Sequence, residues 1–107
     1  MAGKTTQQEI MIKGILKMPV ALKISRNNDE YYSVPLKIIE KNGQEFDSDS
    51  EESIFLIFWK KDFELQTQKV IGNLKENQTV TVYGQLGGRD NGLLRVTRLD
   101  DDSDLFI

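Results

Sequence analysis

Six consecutive apolar residues, Ile54-Phe55-Leu56-Ile57-Phe58-Trp59, constrain this chain more than any other stretch. The run is too short for a membrane span, which needs about 18 apolar residues, and suits a single strand. A strand places Ile54, Leu56 and Phe58 on one face and Phe55, Ile57 and Trp59 on the other. Burial on both faces would produce such a run. So would a strand with one face in a core and the other offered to a ligand. A chain of 107 residues forms one domain with little core to spare. With one interior available, one of the two sets must face outward. Outward aromatics serve either as a stacking platform or as an interface between copies.

The rest of the chain supplies further strands and one helix. Asp62 to Leu74 has helical spacing, with Phe63, Thr67, Val70, Ile71 and Leu74 on one face and Asp62 or Thr67 as candidate caps. Thr79 to Leu86 alternates, with Val80, Val82 and Leu86 inward and Thr79, Thr81, Tyr83 and Gln85 outward. Gly87 to Gly92 is a hairpin, because glycine and asparagine adopt positive φ readily. In the strand to Leu99, strict alternation sends Arg95 and Arg98 to opposite faces, so only one can reach a given groove.

Upstream, Ile10, Ile12, Gly14 and Leu16 alternate with Met11, Lys13, Ile15 and Lys17, and Gly14 marks a bulge or bend. Met18-Pro19 interrupts the ladder, which Val20 to Ile24 resumes as an edge. Ser25 to Asp29 has turn chemistry. Glu30 to Ile39 sets Tyr32, Val34, Leu36 and Ile38 against Tyr31, Ser33, Pro35 and Lys37. Pro35 lacks an N–H, so this strand is expected at an edge or bulged. Glu40 to Ser53 reads as a long unstructured loop. The order β-β-β-α-β-β predicts an all-β fold with one short helix, a five-stranded barrel of the oligonucleotide-binding (OB) type.

Composition narrows the chemistry. There is no cysteine and no histidine, which removes disulfides, thiolate nucleophiles and the commonest zinc sites and triads. The expectation is a non-enzyme with no metal and no cofactor, soluble and cytoplasmic, without membrane contact or signal peptide. Asp47-Ser48-Asp49-Ser50-Glu51-Glu52 lacks the glycine and glutamate spacing of a calcium loop and reads as a solvated acidic run. The net charge of −3 conceals segregation: without Asp100, Asp101, Asp102 and Asp104 the chain has 14 basic and 13 acidic side chains. Setting aside Glu45, Asp47, Asp49, Glu51 and Glu52 as well leaves a body at +6. A positive body beside aromatics suits nucleic acid.

Leu74-Lys75-Glu76-Asn77-Gln78-Thr79-Val80-Thr81-Val82-Tyr83-Gly84-Gln85-Leu86 resembles the bacterial and phage single-stranded DNA-binding proteins. The hairpin that follows and the opening strand Ile10-Met11-Ile12-Lys13-Gly14-Ile15-Leu16 continue the likeness over about residues 8 to 99. The ending Asp100-Asp101-Asp102-Ser103-Asp104-Leu105-Phe106-Ile107 is similar to the acidic tip with which that family docks onto replication and repair enzymes. The expected division is a flexible N-terminus over 1–7, an OB domain over 8–99 and an acidic tail over 100–107. The family's long linker before the tip is missing, so the tail could instead fold over the protein's own groove. The family's hairpin aromatic is also missing, with Arg89 the nearest substitute. The resemblance further implies a homo-oligomer, dimer or tetramer, acting in DNA replication, recombination or repair.

The residues expected to meet single-stranded DNA are thus Trp59 first, then Phe55, with Tyr31 or Tyr83 as further stacking rings and Phe58 as an alternative register. Lys13, Lys17, Lys37, Lys60, Lys61 and Arg95 are the expected phosphate contacts, and Lys23 is a further candidate. Asp100, Asp101, Asp102, Asp104, Leu105, Phe106 and Ile107 are the expected partner-binding tail. The alternative class is a protein-interaction barrel, such as a primosome or conjugation accessory factor, in which the aromatic run forms a subunit interface. A carboxylate-based nuclease is the remaining enzymatic option.

Overall fold

The alternating N-terminal residues form strand β1 (Ile10–Leu16), seen in a computed structural model that describes residues 9–100. β2 (Ala21–Ile24), β3 (Glu30–Lys41), β4 (Gln44–Glu45) and β5 (Ser53–Trp59) follow. After a single 3-10 turn come helix α1 (Leu65–Gly72), β6 (Thr79–Gly87) and β7 (Leu93–Leu99). The sheet runs β1-β6-β7-β5-β3-β2, and β1 also pairs with β3. That extra pairing closes β1, β6, β7, β5 and β3 into a five-stranded barrel, with β5 parallel to β7 and every other pair antiparallel. This is the OB fold expected from the sequence, with β2 and β4 added as short flanking strands.

The interior is filled by Ile12, Leu16, Val34, Leu36, Leu56, Phe58, Val80, Val82, Leu94 and Val96, all essentially without solvent exposure. Burial of each large side chain stabilises the fold by about 1.5–3 kcal/mol. Ile71 of α1 and the following Leu74 join the same core, which is how the helix is held on the barrel. β1 manages two partners through a register shift between Lys13 and Gly14. A Cβ at Gly14 would lie 2.3 Å from the Lys37 carbonyl oxygen, so only glycine permits that bend.

Several expectations need correction. β3 is the most heavily paired strand, not an edge, since β1, β2, β4 and β5 all bond to it. Pro35 is tolerated because its missing donor falls in the gap where β2 pairing stops at Ser33 and β1 pairing begins at Leu36. The Lys17 N–H donates to the Pro35 carbonyl in that gap, at 3.0 Å. Part of the segment read as unstructured is ordered. Asn42 and Gly43 take positive φ, β4 pairs back on β3, and Phe46 packs against the core. Neither Asp62 nor Thr67 caps α1, whose N-cap is Glu64 with no side-chain cap bond.

Arg95 and Arg98 are not on opposite faces. Arg95 pairs with Gln85 and Arg98 with Tyr83, two residues apart on β6 and so on the same outward face. Thr97 is the extra residue of a bulge that resets the phase. The tail residues 101–107 and the N-terminal residues 1–8 lie outside the described residues.

Candidate nucleic-acid interface

Strand pairing aligns the outward side chains in ranks across the barrel. Phe58 belongs to the inward set and has no exposed surface, so β5 presents Phe55, Ile57 and Trp59 outward. The first rank is Lys23, Tyr31 and Trp59 on β2, β3 and β5. The second runs Ala21, Ser33, Ile57, Arg95 and Gln85 on β2, β3, β5, β7 and β6. The third is Pro35, Phe55, Leu93 and Gly87. Pairing rather than sequence proximity therefore brings Tyr31, Trp59, Phe55 and Arg95 to one surface.

That surface holds a groove of about 440 Å³ lined by Tyr31, Ile57, Trp59, Gln85, Leu93 and Arg95, with Gly87 and Gly88 at one end. The Tyr31 and Trp59 rings are tilted against each other, 4.8 Å between centroids. Phe55 is 48 % exposed and Leu93 37 %, a large apolar area for the outside of a small barrel. The Lys61 ammonium lies 5.6 Å from the Trp59 ring centroid, within cation–π range.

Three of the nearby cations are already paired. Lys60 donates to Glu30 at 2.9 Å, Lys61 lies 3.6 Å from Asp29, and Arg95 makes a two-pronged contact with Asp62. The hydrogen bond that Lys60 donates to Glu30 holds its ammonium above its usual range, and the bonds to Asp62 do the same for the Arg95 guanidinium. Among the described residues, Lys23, Lys17 and Arg89 have no ion-pair partner; Arg89 sits on the exposed hairpin between β6 and β7.

The other expected residues stand apart from this groove. Lys13 pairs across to Thr81 and Glu40, on the stretch of β1 away from Trp59. Lys37 pairs with Ser53 and Ile15, and its ammonium donates to the Ser48 carbonyl. Tyr83 faces outward on β6 beside Met11, with the Arg98 guanidinium stacked 3.8 Å from its ring centroid. Ile57, Gln85 and Leu93 belong to the surface but were missing from the expected set, and Lys23, named only as a further candidate, lies on it too. Lys23 and Gln85 were recognisable as outward residues, but their place beside Trp59 and Arg95 depends on strand partners. The ion pairing by Asp29, Glu30 and Asp62 had no sequence signal at all.

No family model matches the sequence, and neither does any curated protein. Solved structures do match. The single-stranded DNA-binding domain of a Synechococcus protein superposes with a TM-score of 0.64 at 15 % identity, covering 91 % of this chain and 98 % of that one. The mitochondrial single-stranded DNA-binding protein of S. cerevisiae gives 0.66 at 11 % identity, over 90 % and 94 % of the two chains. The second single-stranded DNA-binding protein of Mycobacterium smegmatis gives 0.63 at 13 %, over 91 % and 90 %. At such identities the likeness establishes the fold alone.

Proposed function

We propose that this chain binds single-stranded DNA in the groove crossing β2, β3, β5, β7 and β6, largely without regard to sequence. The observation that carries the reading is the outward placement of Phe55, Tyr31 and Trp59 on one rank-ordered surface beside Lys23, Lys61 and Arg95. Rings of that kind stack on any base, at about 1–3 kcal/mol per base, while ammonium groups neutralise phosphate. Structures of similar fold described as single-stranded DNA-binding proteins support it. Titration of Trp59 fluorescence with oligo-dT at two salt concentrations tests it: quenching that weakens steeply with salt is expected, and no quenching at low salt would overturn it.

A role in replication, recombination or repair follows from that activity. The acidic ending with Leu105, Phe106 and Ile107 would then recruit a partner protein or compete for the groove. Assembly with a second copy fits the exposed Leu22 and Ile24 at the free edge of β2. Among the described residues no helix is long and apolar enough to cross a membrane, and no three metal-ligating side chains cluster.

A further inference from the structure

Arg95 was expected to meet phosphate, yet its surroundings favour a base. It lines the groove among Ile57, Trp59 and Leu93, where desolvating a charged phosphate against apolar walls costs more than desolvating a neutral, flat heterocycle. Its guanidinium is also held in one orientation. The Nε–H donates to Asp62 Oδ2 at 3.1 Å and Nη2 donates to Oδ1 at 3.0 Å. That contact uses one side of the fork. The end of the fork, one N–H on Nη1 and the second on Nη2, is left with two parallel donors.

Two parallel donors of that spacing match the O6 and N7 acceptors of guanine, the commonest arginine–base contact. Adenine presents an amino group where guanine has O6, so it offers the fork one acceptor and one repelling donor. A guanidinium already fixed by a carboxylate loses less side-chain freedom when a base arrives. Gln85, the cross-strand neighbour of Arg95, lines the same groove and adds an amide that can donate or accept.

We infer that Arg95, oriented by Asp62, forms a guanine-selecting subsite within an otherwise sequence-tolerant groove. The inference rests on the proposed binding of single-stranded DNA and adds one preferred base to it. Asp62 is a positioning residue, because it acts only through the guanidinium.

Fluorescence anisotropy of the full chain with labelled oligo-dT, and with the same oligomer carrying one central dG, tests the subsite. The dG oligomer is expected to bind about tenfold tighter. A central dA, or a 7-deaza-dG that lacks N7, should give little or none of that gain. Arg95→Lys keeps the charge and loses the fork, so it should abolish the dG preference and bind the dG and dT oligomers within about twofold of each other. Asp62→Asn should weaken the preference too, which a simple phosphate contact would not predict. Equal affinity of the wild-type protein for the two oligomers overturns the subsite and leaves the DNA-binding reading standing. So does a dG preference that survives in Arg95→Lys, which would place its source elsewhere in the groove. Absence of binding to either oligomer at low salt overturns both.

Discussion

The rings of Tyr31 and Trp59 lie 4.8 Å apart between centroids and are inclined by 49°, on strands whose pairing register places these two residues directly opposite. Tilted rings in contact present two faces to solvent at different angles. A strand whose bases turn along its path can therefore stack on both. Trp59→Ala should weaken oligo-dT binding by about 1–3 kcal/mol, roughly 5- to 150-fold. Tyr31→Ala should cost part of the same amount, and the double variant less than the sum, because the rings share one contact. Anisotropy with a labelled oligomer measures all three. Trp59→Ala binding as the wild type does would remove this pair from the interface.

Glu30 stands between Lys60 and any phosphate, since the ammonium already donates to its carboxylate at 2.9 Å. Replacement by Gln keeps the shape and frees the charge. Glu30→Gln should bind oligo-dT more tightly at low salt. One added phosphate contact should steepen the log–log salt slope by about 0.7. Its melting temperature should change little, because exposed ion pairs contribute little to folding. An unchanged slope would mean that Lys60 does not meet the backbone of the DNA.

The sequence carried the strands and their inward residues well, and carried their neighbours poorly. Ile12, Leu16, Val34, Leu36, Val80 and Val82 are inside because apolar residues at period two have one core to enter. The outward set of β5 was legible only as a choice between two, and the burial of Phe58 decides it. Arg98 was misplaced because one extra residue, Thr97, inverts the phase, and Thr97 has no feature that announces a bulge. Pro35 suggested an edge strand because a missing donor is visible in sequence, whereas the gap between β2 and β1 that accommodates it is not.

β2 offers an unpaired edge on which Leu22 and Ile24 are 51 % and 62 % exposed, with Met18, 55 % exposed, in the bend before it. Antiparallel pairing of this edge with itself, centred on Leu22, would oppose Leu22 to Leu22, Val20 to Ile24 and Ala21 to Lys23. No like charges meet in that register, and the apolar residues share one face. A weak two-fold dimer is expected, seen as a concentration-dependent mass by sedimentation. Leu22→Asp should shift it to monomer while retaining the fold. A wild-type chain that stays monomeric at high concentration sinks this interface.

Glu9 ties the N-terminal end of the described chain to β7. Its carboxylate accepts from the Thr97 hydroxyl at 2.7 Å and from Arg98 at 3.3 Å. These bonds lower its pKa below the ordinary 4.5, the Thr97 hydroxyl contributing most. A depressed carboxylate stabilises the fold above its unfolded pKa and loses that contribution as pH falls through the folded value. Glu9→Gln should therefore melt slightly below the wild type at neutral pH, and the two should converge below pH 4.5. Thermal melts across that range measure it. A gap that persists in acid would place the effect in packing instead.

At Gly84 β6 lies hard against β7: a Cβ there would stand 2.1 Å from the Arg95 carbonyl oxygen and 2.9 Å from the Val96 Cα. Both contacts are backbone, so no side chain can swing away to relieve them. Gly84→Ala must therefore push the strands apart at the bulge, beside the rank that carries Arg95 and Gln85. The expected loss of stability is about 3 kcal/mol, at the upper end for overpacking a tight site. Gly87→Ala, where nothing lies within 4 Å of the added carbon, is the matched control and should be nearly neutral. Urea melts of the two variants decide the matter: equal stabilities would show that β6 and β7 can separate at Gly84 without cost.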